Sequence, residues 1–242
     1  MVRDLYRTIK AERRSVKFGI SPFGIYRPGI PAGIKAGVDQ YGELYADAEK
    51  WLKEGWCDYF TPQLYWPVRQ TPQAYPTLLK YWLSVNPKAR HLWPGNFTGR
   101  TNPKEGNWKP AEVQEQIRIT RQMGAGGNVH FSMRAFSGNY NNVAQALRGS
   151  EYAEPALVPA TPWLGDGRPA KTSLLRDGSR FAWTSFERPF LYARWRKIGG
   201  KWIKDVLPGE TRAAIEDGDV AVYAVAPVSR NGVMGEAAIW RR

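Results

Sequence analysis

The 242-residue sequence contains one cysteine, Cys57, and two histidines, His91 and His130. A single cysteine excludes an intrachain disulfide, and its place in an apolar segment predicts a buried thiol. Each histidine falls inside a predicted strand, which favours a role in packing over a metal site. No glycine-rich phosphate loop opens a helix after a strand. The sequence therefore predicts neither a metal nor a cofactor.

The sequence also has no apolar run long enough to span a membrane, and it shows no signal peptide. The sequence is basic, with a net charge of +13, and it is rich in aromatic residues, including 11 Trp and 12 Tyr. A basic surface suits an anionic partner such as a cell-envelope polymer. Nucleic acid is the weakest of the partner hypotheses, since it rests on charge alone.

The first 150 residues alternate predicted strands with predicted helices, after an opening helix at Arg3–Arg14. Such alternation predicts a parallel sheet with right-handed crossovers. The predicted strands are Val16–Ile25, Cys57–Trp66, Ala89–Phe97 and Gly127–Phe136, and the helices that follow them are Tyr41–Glu54, Pro72–Ser84, Pro110–Met123 and Tyr140–Leu147.

The rest of the chain changes character. Prolines stiffen residues 151–170, which predicts a linker between domains. Residues 171–242 form short predicted strands, and a Gly199-Gly200 turn indicates a hairpin. The predicted strands are Arg180–Ser185, Phe190–Ile198, Lys201–Val206, Asp219–Val228 and Glu236–Arg241. The sequence thus predicts an α/β domain at 1–150, a Pro-rich linker and an all-β sandwich at 171–242.

Polar and aromatic residues gather where the predicted parallel strands end. Ligands bind at the carboxyl ends of such strands. Amide and guanidinium groups can hold sugar hydroxyls, and flat rings can stack on a pyranose. These positions predict a site for a sugar-sized ligand, with Arg27, Gln63, Tyr65, Trp66, Trp93 and Asn96 as its substrate-binding residues.

The acids that cleave a glycosidic bond are not evident. Glycoside hydrolysis usually needs two carboxyl groups flanking the bond. Asp58 begins its strand, at the wrong end of a barrel. Asp39 lies in a loop that could reach the site and is the one weak candidate for a catalytic role.

Three stretches of sequence carry a family resemblance: KFGISPFGIYRPG, LYADAEKWLKEGWCDYFTPQLYW and HLWPGNFTGR. They resemble glycosyl-hydrolase-like family ten, bacterial cell-envelope proteins, over about residues 1–150. The resemblance implies a (β/α)8 TIM barrel, often followed by a fibronectin-like sandwich, and hydrolysis of bacterial cell-wall glycan, including peptidoglycan strands. It also implies a location that is secreted or at the cell envelope.

One departure from the family matters most. The paired aspartates of the family, in an HFDDYFYP-like segment of the first half of its barrel, have no counterpart here. The resemblance therefore implies the second half of the barrel, about four βα units, without the catalytic aspartates. We expect a fragment that needs the missing N-terminal half-barrel, or self-association through open sheet edges. The alternative is a non-catalytic module that binds carbohydrate or an anionic wall polymer.

Overall fold

A computed structural model describes residues 1–165 and 167–242, which divide into two compact units, Met1–Ala153 and Glu154–Arg242. None of the described helices is long and apolar enough to cross a membrane. The first unit combines short parallel strands with helices, and the second consists of antiparallel sheets.

The first unit contains six helices and five short strands. The strands are β1 (Gly19–Ile20), β2 (Tyr59–Phe60), β3 (His91–Leu92), β4 (Gly95–Asn96) and β5 (Val129–His130). The helices are α1 (Val2–Glu12), α2 (Ala48–Lys53), α3 (Tyr75–Ser84), α4 (Pro110–Gln122), α5 (Arg134–Ser137) and α6 (Val143–Arg148).

The strands pair in parallel and in chain order, as the alternating pattern predicts. β1 pairs with β2, β2 with β3, and β4 with β5. Single parallel bridges continue the ladder beyond the strands, from Phe23 to Gln63 and from Gln63 to Gly95. Four extended segments thus lie side by side with their carboxyl ends at one edge.

One face of this sheet is covered by helices. Phe60 and Leu92 are buried there, and Phe60 packs on Trp82 of α3 with ring centroids 5.1 Å apart. The Trp82 indole N–H donates to the carbonyl of Gly24 at 2.8 Å. Burying each such side chain contributes about 1.5–3 kcal/mol, so α3 fixes the strands from which the site residues extend.

The opposite face carries aromatic residues that are only half-buried. Tyr59 lies over Gly19, where a Cβ would approach the tyrosine ring to 2.0 Å. On its other side Tyr59 stacks on Trp93, with centroids 4.9 Å apart. Glycine at position 19 therefore allows this ring to lie flat across the neighbouring strand.

The predicted strands of the first unit are all longer than the observed ones, which are pieces of two residues each. Two elements show the reasons most clearly. The helix predicted at Tyr41–Glu54 begins only at Ala48, because the Asp47 carboxylate caps it by accepting from the backbone N–H of Lys50 at 3.2 Å. The strand predicted at Gly127–Phe136 ends at His130 and is followed by α5. The strand ends at His130 because its partner, β4, is followed by a 3₁₀ turn at Thr98–Thr101. The residues after His130 therefore have no strand to pair with there.

The second unit holds two antiparallel sheets. One has the order β10–β7–β6 and the other β12–β11–β8–β9. Their bounds are β6 (Ser173–Asp177), β7 (Arg180–Thr184), β8 (Leu191–Ile198), β9 (Lys201–Pro208), β10 (Ala213–Ile215), β11 (Val220–Val228) and β12 (Ala238–Arg241).

Aromatic residues from both sheets form the core of the second unit. Phe181 and Trp183 of β7 meet Tyr192 of β8 and Tyr223 of β11. The rings of Phe181 and Tyr223 stack with centroids 4.0 Å apart. Face-to-face packing of this kind agrees with the predicted antiparallel sandwich, although β6 and β10 were not predicted.

Part of the segment predicted as a linker packs within the second unit. Thr161 is buried, and its backbone N–H donates to the carbonyl of Asn231 at 2.8 Å. Leu164, in a 3₁₀ turn, is also buried. The described part of residues 154–170 therefore belongs to the second unit, and the predicted domain boundaries stay predictions.

Candidate functional site

The candidate site lies where the four extended segments of the first unit end. A close approach of backbones brings the first two segments together. A Cβ at Gly24 would lie 2.1 Å from the carbonyl oxygen of Gln63, so only glycine fits there. The Gln63 side-chain amide donates to the carbonyl of Ser21 at 3.2 Å. The loops after β1 and β2 are thereby held in contact.

Three aromatic residues from three different strand ends form what we call the aromatic cluster: Tyr65, Phe97 and Phe131. The ring of Tyr65 lies 5.0 Å from that of Phe97 and 5.7 Å from that of Phe131, centroid to centroid. Phe131 is 53% exposed, while the other two are half-buried. Burial raises the pKa of the Tyr65 phenol, so Tyr65 stays neutral at physiological pH.

Backbone hydrogen bonds fix the position of Phe131 in this cluster. Its N–H donates to the carbonyl of Asn96 at 2.8 Å, and its carbonyl accepts from Gly99 at 2.8 Å. These two hydrogen bonds order the backbone of Phe131 before any ligand binds. Less entropy is then lost when a ligand contacts the exposed ring.

Trp66 directly follows Tyr65 in the chain and packs against Phe23 and the core of the first unit. Their rings meet edge to face with centroids 5.6 Å apart. The carbonyl of Trp66 accepts from the Gln116 side chain at 3.3 Å. Gln63, Tyr65 and Trp66 all belong to the end of the second extended segment, and their role in binding stays a prediction.

Asn96, predicted as a substrate-binding residue, is placed differently. Its side chain has no exposed surface. The amide donates to Gln116 Oε1 at 2.7 Å, and its oxygen accepts from the Asn128 amide at 2.8 Å. Thr120 and Tyr75 complete this buried polar network between sheet and helices. The Asn96 side chain thus points toward α4 and not toward solvent, and its direct contact with a sugar stays a prediction.

Trp93 lies on the face of the sheet opposite the helices. It is half-buried between two flat neighbours, Tyr59 at 4.9 Å and His91 at 5.2 Å between ring centroids. Its indole N–H is buried without a partner among the described residues. The stack extends the aromatic surface away from the strand ends, and a substrate-binding role for Trp93 stays a prediction.

Arg27 and Asp39 face each other in the long loop after β1. The guanidinium of Arg27 lies 3.2 Å from Asp39 Oδ2 and 4.7 Å above the ring of Tyr41. The other carboxylate oxygen accepts from the N–H groups of Tyr41 and Gly42, each at 3.1 Å.

These hydrogen bonds fix the charge of Asp39. The backbone N–H of Gly42 foremost, and then Arg27, hold the pKa of the Asp39 carboxyl below its ordinary value. Asp39 is therefore ionised at physiological pH and cannot act as a general acid there. Its hydrogen bonds to two backbone N–H groups stabilise the turn of the loop in which it lies.

The residues after the fourth strand do not continue it, although the predicted strand at Gly127–Phe136 implies that they do. Arg134 and Phe136 lie in α5, and Phe136 packs against His130 at 5.0 Å. His130 is held between Thr98 and Tyr152, with 2.6 Å from Nδ1 to the hydroxyl oxygen of Thr98 and 2.6 Å from Nε2 to that of Tyr152. Burial lowers the pKa of His130 to about 4, so this ring is a neutral packing group.

Sequence reasoning missed Phe97 and Phe131 as site residues. Their sequence positions could have indicated this role. Asn96 and His130 are paired in register, and Phe97 and Phe131 directly follow them. Parallel strands in register deliver the next residue of each to the same edge. The predicted fourth strand ran to residue 136, and so it hid this correspondence.

The described strand ends offer an aromatic surface, which suits a saccharide. Within residues 1–165 and 167–242, no three His, Cys, Asp or Glu side chains come together in a way that could hold a metal ion. Glu112, a carboxylate near the second strand end, accepts from the backbone N–H of Val68 at 2.8 Å and from Gln116 at 2.9 Å.

Comparison with known proteins identifies one family and relatives that are named glycosyl hydrolases. Residues 1–109 match the Glycosyl hydrolase-like 10 family. Glycosyl hydrolase YngK of Bacillus subtilis (strain 168) is 38% identical over 184 residues, which cover 73% of this chain and 36% of that protein. Glycosyl hydrolase DigH of Escherichia coli (strain K12) is 36% identical over 88 residues, 35% of this chain and 20% of that protein.

The chain thus spans about a third of the length of the first relative and a fifth of the second. Among solved structures, bee venom hyaluronidase in complex with a hyaluronic acid tetramer matches with a TM-score of 0.38 and 17% sequence identity. The match covers 62% of this chain and 48% of the hyaluronidase.

Proposed function

The chain belongs to glycosyl-hydrolase-like family ten, and from that premise we propose that it takes part in hydrolysing O-glycosidic bonds of bacterial cell-wall glycan, peptidoglycan strands in particular. The first unit supplies the surface that holds the sugar chain. The proposed place of action is the cell envelope or the outside of the cell, where that polymer is found.

The proposed architecture is the second half of a (β/α)8 barrel followed by a fibronectin-like sandwich. It is supported by four extended segments in parallel and sequential order, with helices on one face. The other face presents Tyr59, His91 and Trp93 only half-buried. In a closed barrel this face is covered by side chains from the remaining strands.

The aromatic cluster is the observation that carries the proposal. Rings from three strand ends meet within 5.0–5.7 Å, and Phe131 remains 53% exposed at the edge where such folds bind ligands. Aromatic rings that stay exposed in a fixed position suit the apolar face of a pyranose. Gln63, in the bridge that extends the second strand, and Arg27, in the loop after β1, are proposed to hold hydroxyl groups.

The catalytic carboxylates are proposed to come from polypeptide outside these 242 residues. Asp39, the weak candidate, is engaged by Arg27 and by two backbone N–H groups. Glu112 is engaged by Val68 and Gln116. A cleavage site needs one carboxyl group that can be protonated and a second one across the bond, and neither of these groups is free for that role.

Retention on insoluble peptidoglycan strands stripped of peptides tests the proposed site. Replacing Trp66→Ala should weaken retention by about 1–3 kcal/mol, the scale of one lost aromatic contact. Trp202→Ala is the matched control, since Trp202 is 52% exposed on β9 of the second unit. Equal retention of the two variants would count against a site at the strand ends.

The second candidate function is a binding module that holds carbohydrate or an anionic wall polymer without cleaving it. The exposed ring of Phe131 favours it as much as it favours an enzyme. The two candidates separate when the chain is assayed with an N-terminal half-barrel of the same family added to it. New reducing ends indicate an enzyme, and retention without them indicates the module.

A further inference from the structure

The second unit carries a groove of its own. Its volume is about 810 Å³, within the range of ligand-binding pockets. It lies between residues 167–170, the connection 186–190 that joins β7 to β8, and residues 227–230 at the end of β11. Two arginines and two phenylalanines are among the residues that line it: Arg168, Arg230, Phe186 and Phe190.

The walls of the groove are fixed by close backbone contacts. A Cβ at Gly209 would lie 1.9 Å from the carbonyl oxygen of Pro189, so the chain passes there only as glycine. The N–H of Phe190 donates to Val228 at 3.0 Å, and its carbonyl accepts from Gly209 at 3.1 Å. A Cβ at Gly235 would likewise lie 2.5 Å from the carbonyl oxygen of Pro169. The groove is therefore largely formed before any ligand arrives.

The charge of the lining is only partly compensated. Arg188 pairs with Glu210 at 2.9 Å. In the part of the chain that the structure describes, neither Arg168 nor Arg230 has a carboxylate within 4.0 Å. The Arg168 Nε donates to the carbonyl of Met234 at 3.3 Å, and the Arg230 guanidinium lies 5.0 Å over the ring of Phe190. The lining thus holds three arginines, Arg168, Arg188 and Arg230, and two glutamates, Glu187 and Glu210, and so keeps one net positive charge.

Flat apolar surface accompanies this charge. Phe186 is 94% exposed and Phe190 is 49% exposed. Large aromatic side chains exposed beside arginine are typical of binding surfaces. Rings and guanidinium planes stack on flat ligand faces, and guanidinium groups bind carboxylates in a bidentate fashion.

We propose that this groove binds an acidic saccharide chain, with Arg168 and Arg230 on its carboxylates and Phe186 and Phe190 against its sugar rings. A groove that is open to solvent suits a segment of a polymer. This site goes beyond the proposed function, because it lies wholly in the second unit and needs no cleavage. It would hold the protein on an anionic glycan.

Titration calorimetry of the whole 242-residue chain with a tetramer of glucuronic acid tests the proposal. The double variant Arg168→Gln/Arg230→Gln should weaken binding at least about tenfold, the loss expected for two charge-assisted contacts. Its matched control, Arg180→Gln/Arg241→Gln, removes the same charge from exposed strand positions outside the groove and should change affinity less than about threefold. Phe186→Ala should weaken binding about threefold or more, including at high salt, since stacking is not screened.

Three results would overturn the proposal. The first is no binding of the glucuronate tetramer by the unmodified chain at millimolar concentration. The second is equal weakening by both double variants, which would indicate attraction to the overall basic charge. The third is tighter binding of a poly-glutamate peptide of equal charge, which would assign the groove to protein docking. A neutral glucose tetramer should bind at least about tenfold more weakly than the glucuronate, by the same carboxylate contacts.

Discussion

Replacing Asn96→Leu should destabilise the first unit without removing a sugar contact. Asn96 is wholly buried and bonds Gln116 at 2.7 Å and Asn128 at 2.8 Å. Asn128 keeps Thr120 as an acceptor at 3.0 Å. The Gln116 oxygen, by contrast, loses the Asn96 amide that donates to it.

The magnitude follows from these contacts. One orphaned buried acceptor costs about 1–3 kcal/mol, and the lost hydrogen bond between Asn96 and Asn128 adds about 1 kcal/mol. We therefore expect a loss of about 2–4 kcal/mol. For a unit of this size the melting temperature should fall by roughly 5–15 °C. Gln114→Leu, on the same helix as Gln116, removes hydrogen bonds to Ser150 and Glu151 and should cost under about 1 kcal/mol.

Hydrogen exchange in urea, read on peptides from α3 and α4, measures the stability of this unit alone. Glycan retention is then measured well below the melting temperature. The reasoning is refuted if Asn96→Leu is as stable as Gln114→Leu. It is also refuted if Asn96→Leu abolishes retention while stability is unchanged, since Asn96 would then contact the sugar, as the sequence predicts.

Three further predictions concern pH, a buried ion-pair network and the exposed ring of the aromatic cluster. The pKa of His130 is about 4 in the folded state against 6.5 ordinarily, so only the unfolded chain takes up this proton between those values. The first unit should therefore lose up to about 3 kcal/mol as pH falls from 6.5 to 4, and His130→Gln should flatten that slope in urea titrations; an unchanged slope would contradict it. In the second unit Glu216 bonds Arg194 at 3.0 Å, with both nearly buried; Glu216→Gln should cost about 3–5 kcal/mol, and a loss under about 1 kcal/mol in calorimetry would contradict it. Phe131→Ala should weaken glycan retention by about 1–3 kcal/mol and leave stability within about 1 kcal/mol, because the ring is half-exposed; a large stability loss would identify Phe131 as a core residue instead.

The order of the elements could be predicted from the sequence because it depends on local patterns. Apolar runs such as that at Cys57–Trp66 and amphipathic segments such as that at Pro110–Gln122 alternate, and right-handed crossovers then dictate parallel neighbours. The Gly199-Gly200 turn likewise predicted the β8–β9 hairpin, which the structure contains. In these cases the residues of an element carry its own signal.

The extent of elements and the direction of side chains could not be predicted in the same way. Asp47 ends the long loop before α2 through one capping bond, and the preceding helical periodicity hid it. Asn96 looks like a ligand group in sequence, yet Gln116 and Asn128 from other elements turn it inward. The end of β5 depends on where the neighbouring strand turns at Thr98. Each of these outcomes is decided by a partner distant in sequence.

The central claim is that the strand ends of the first unit hold a saccharide while the acids of hydrolysis lie elsewhere. One incubation of the chain with denuded peptidoglycan strands tests it, by counting protein retained on the glycan and new reducing ends in the same sample. We predict retention with no new reducing ends. Turnover by the chain alone, abolished by Asp39→Asn, would contradict the account.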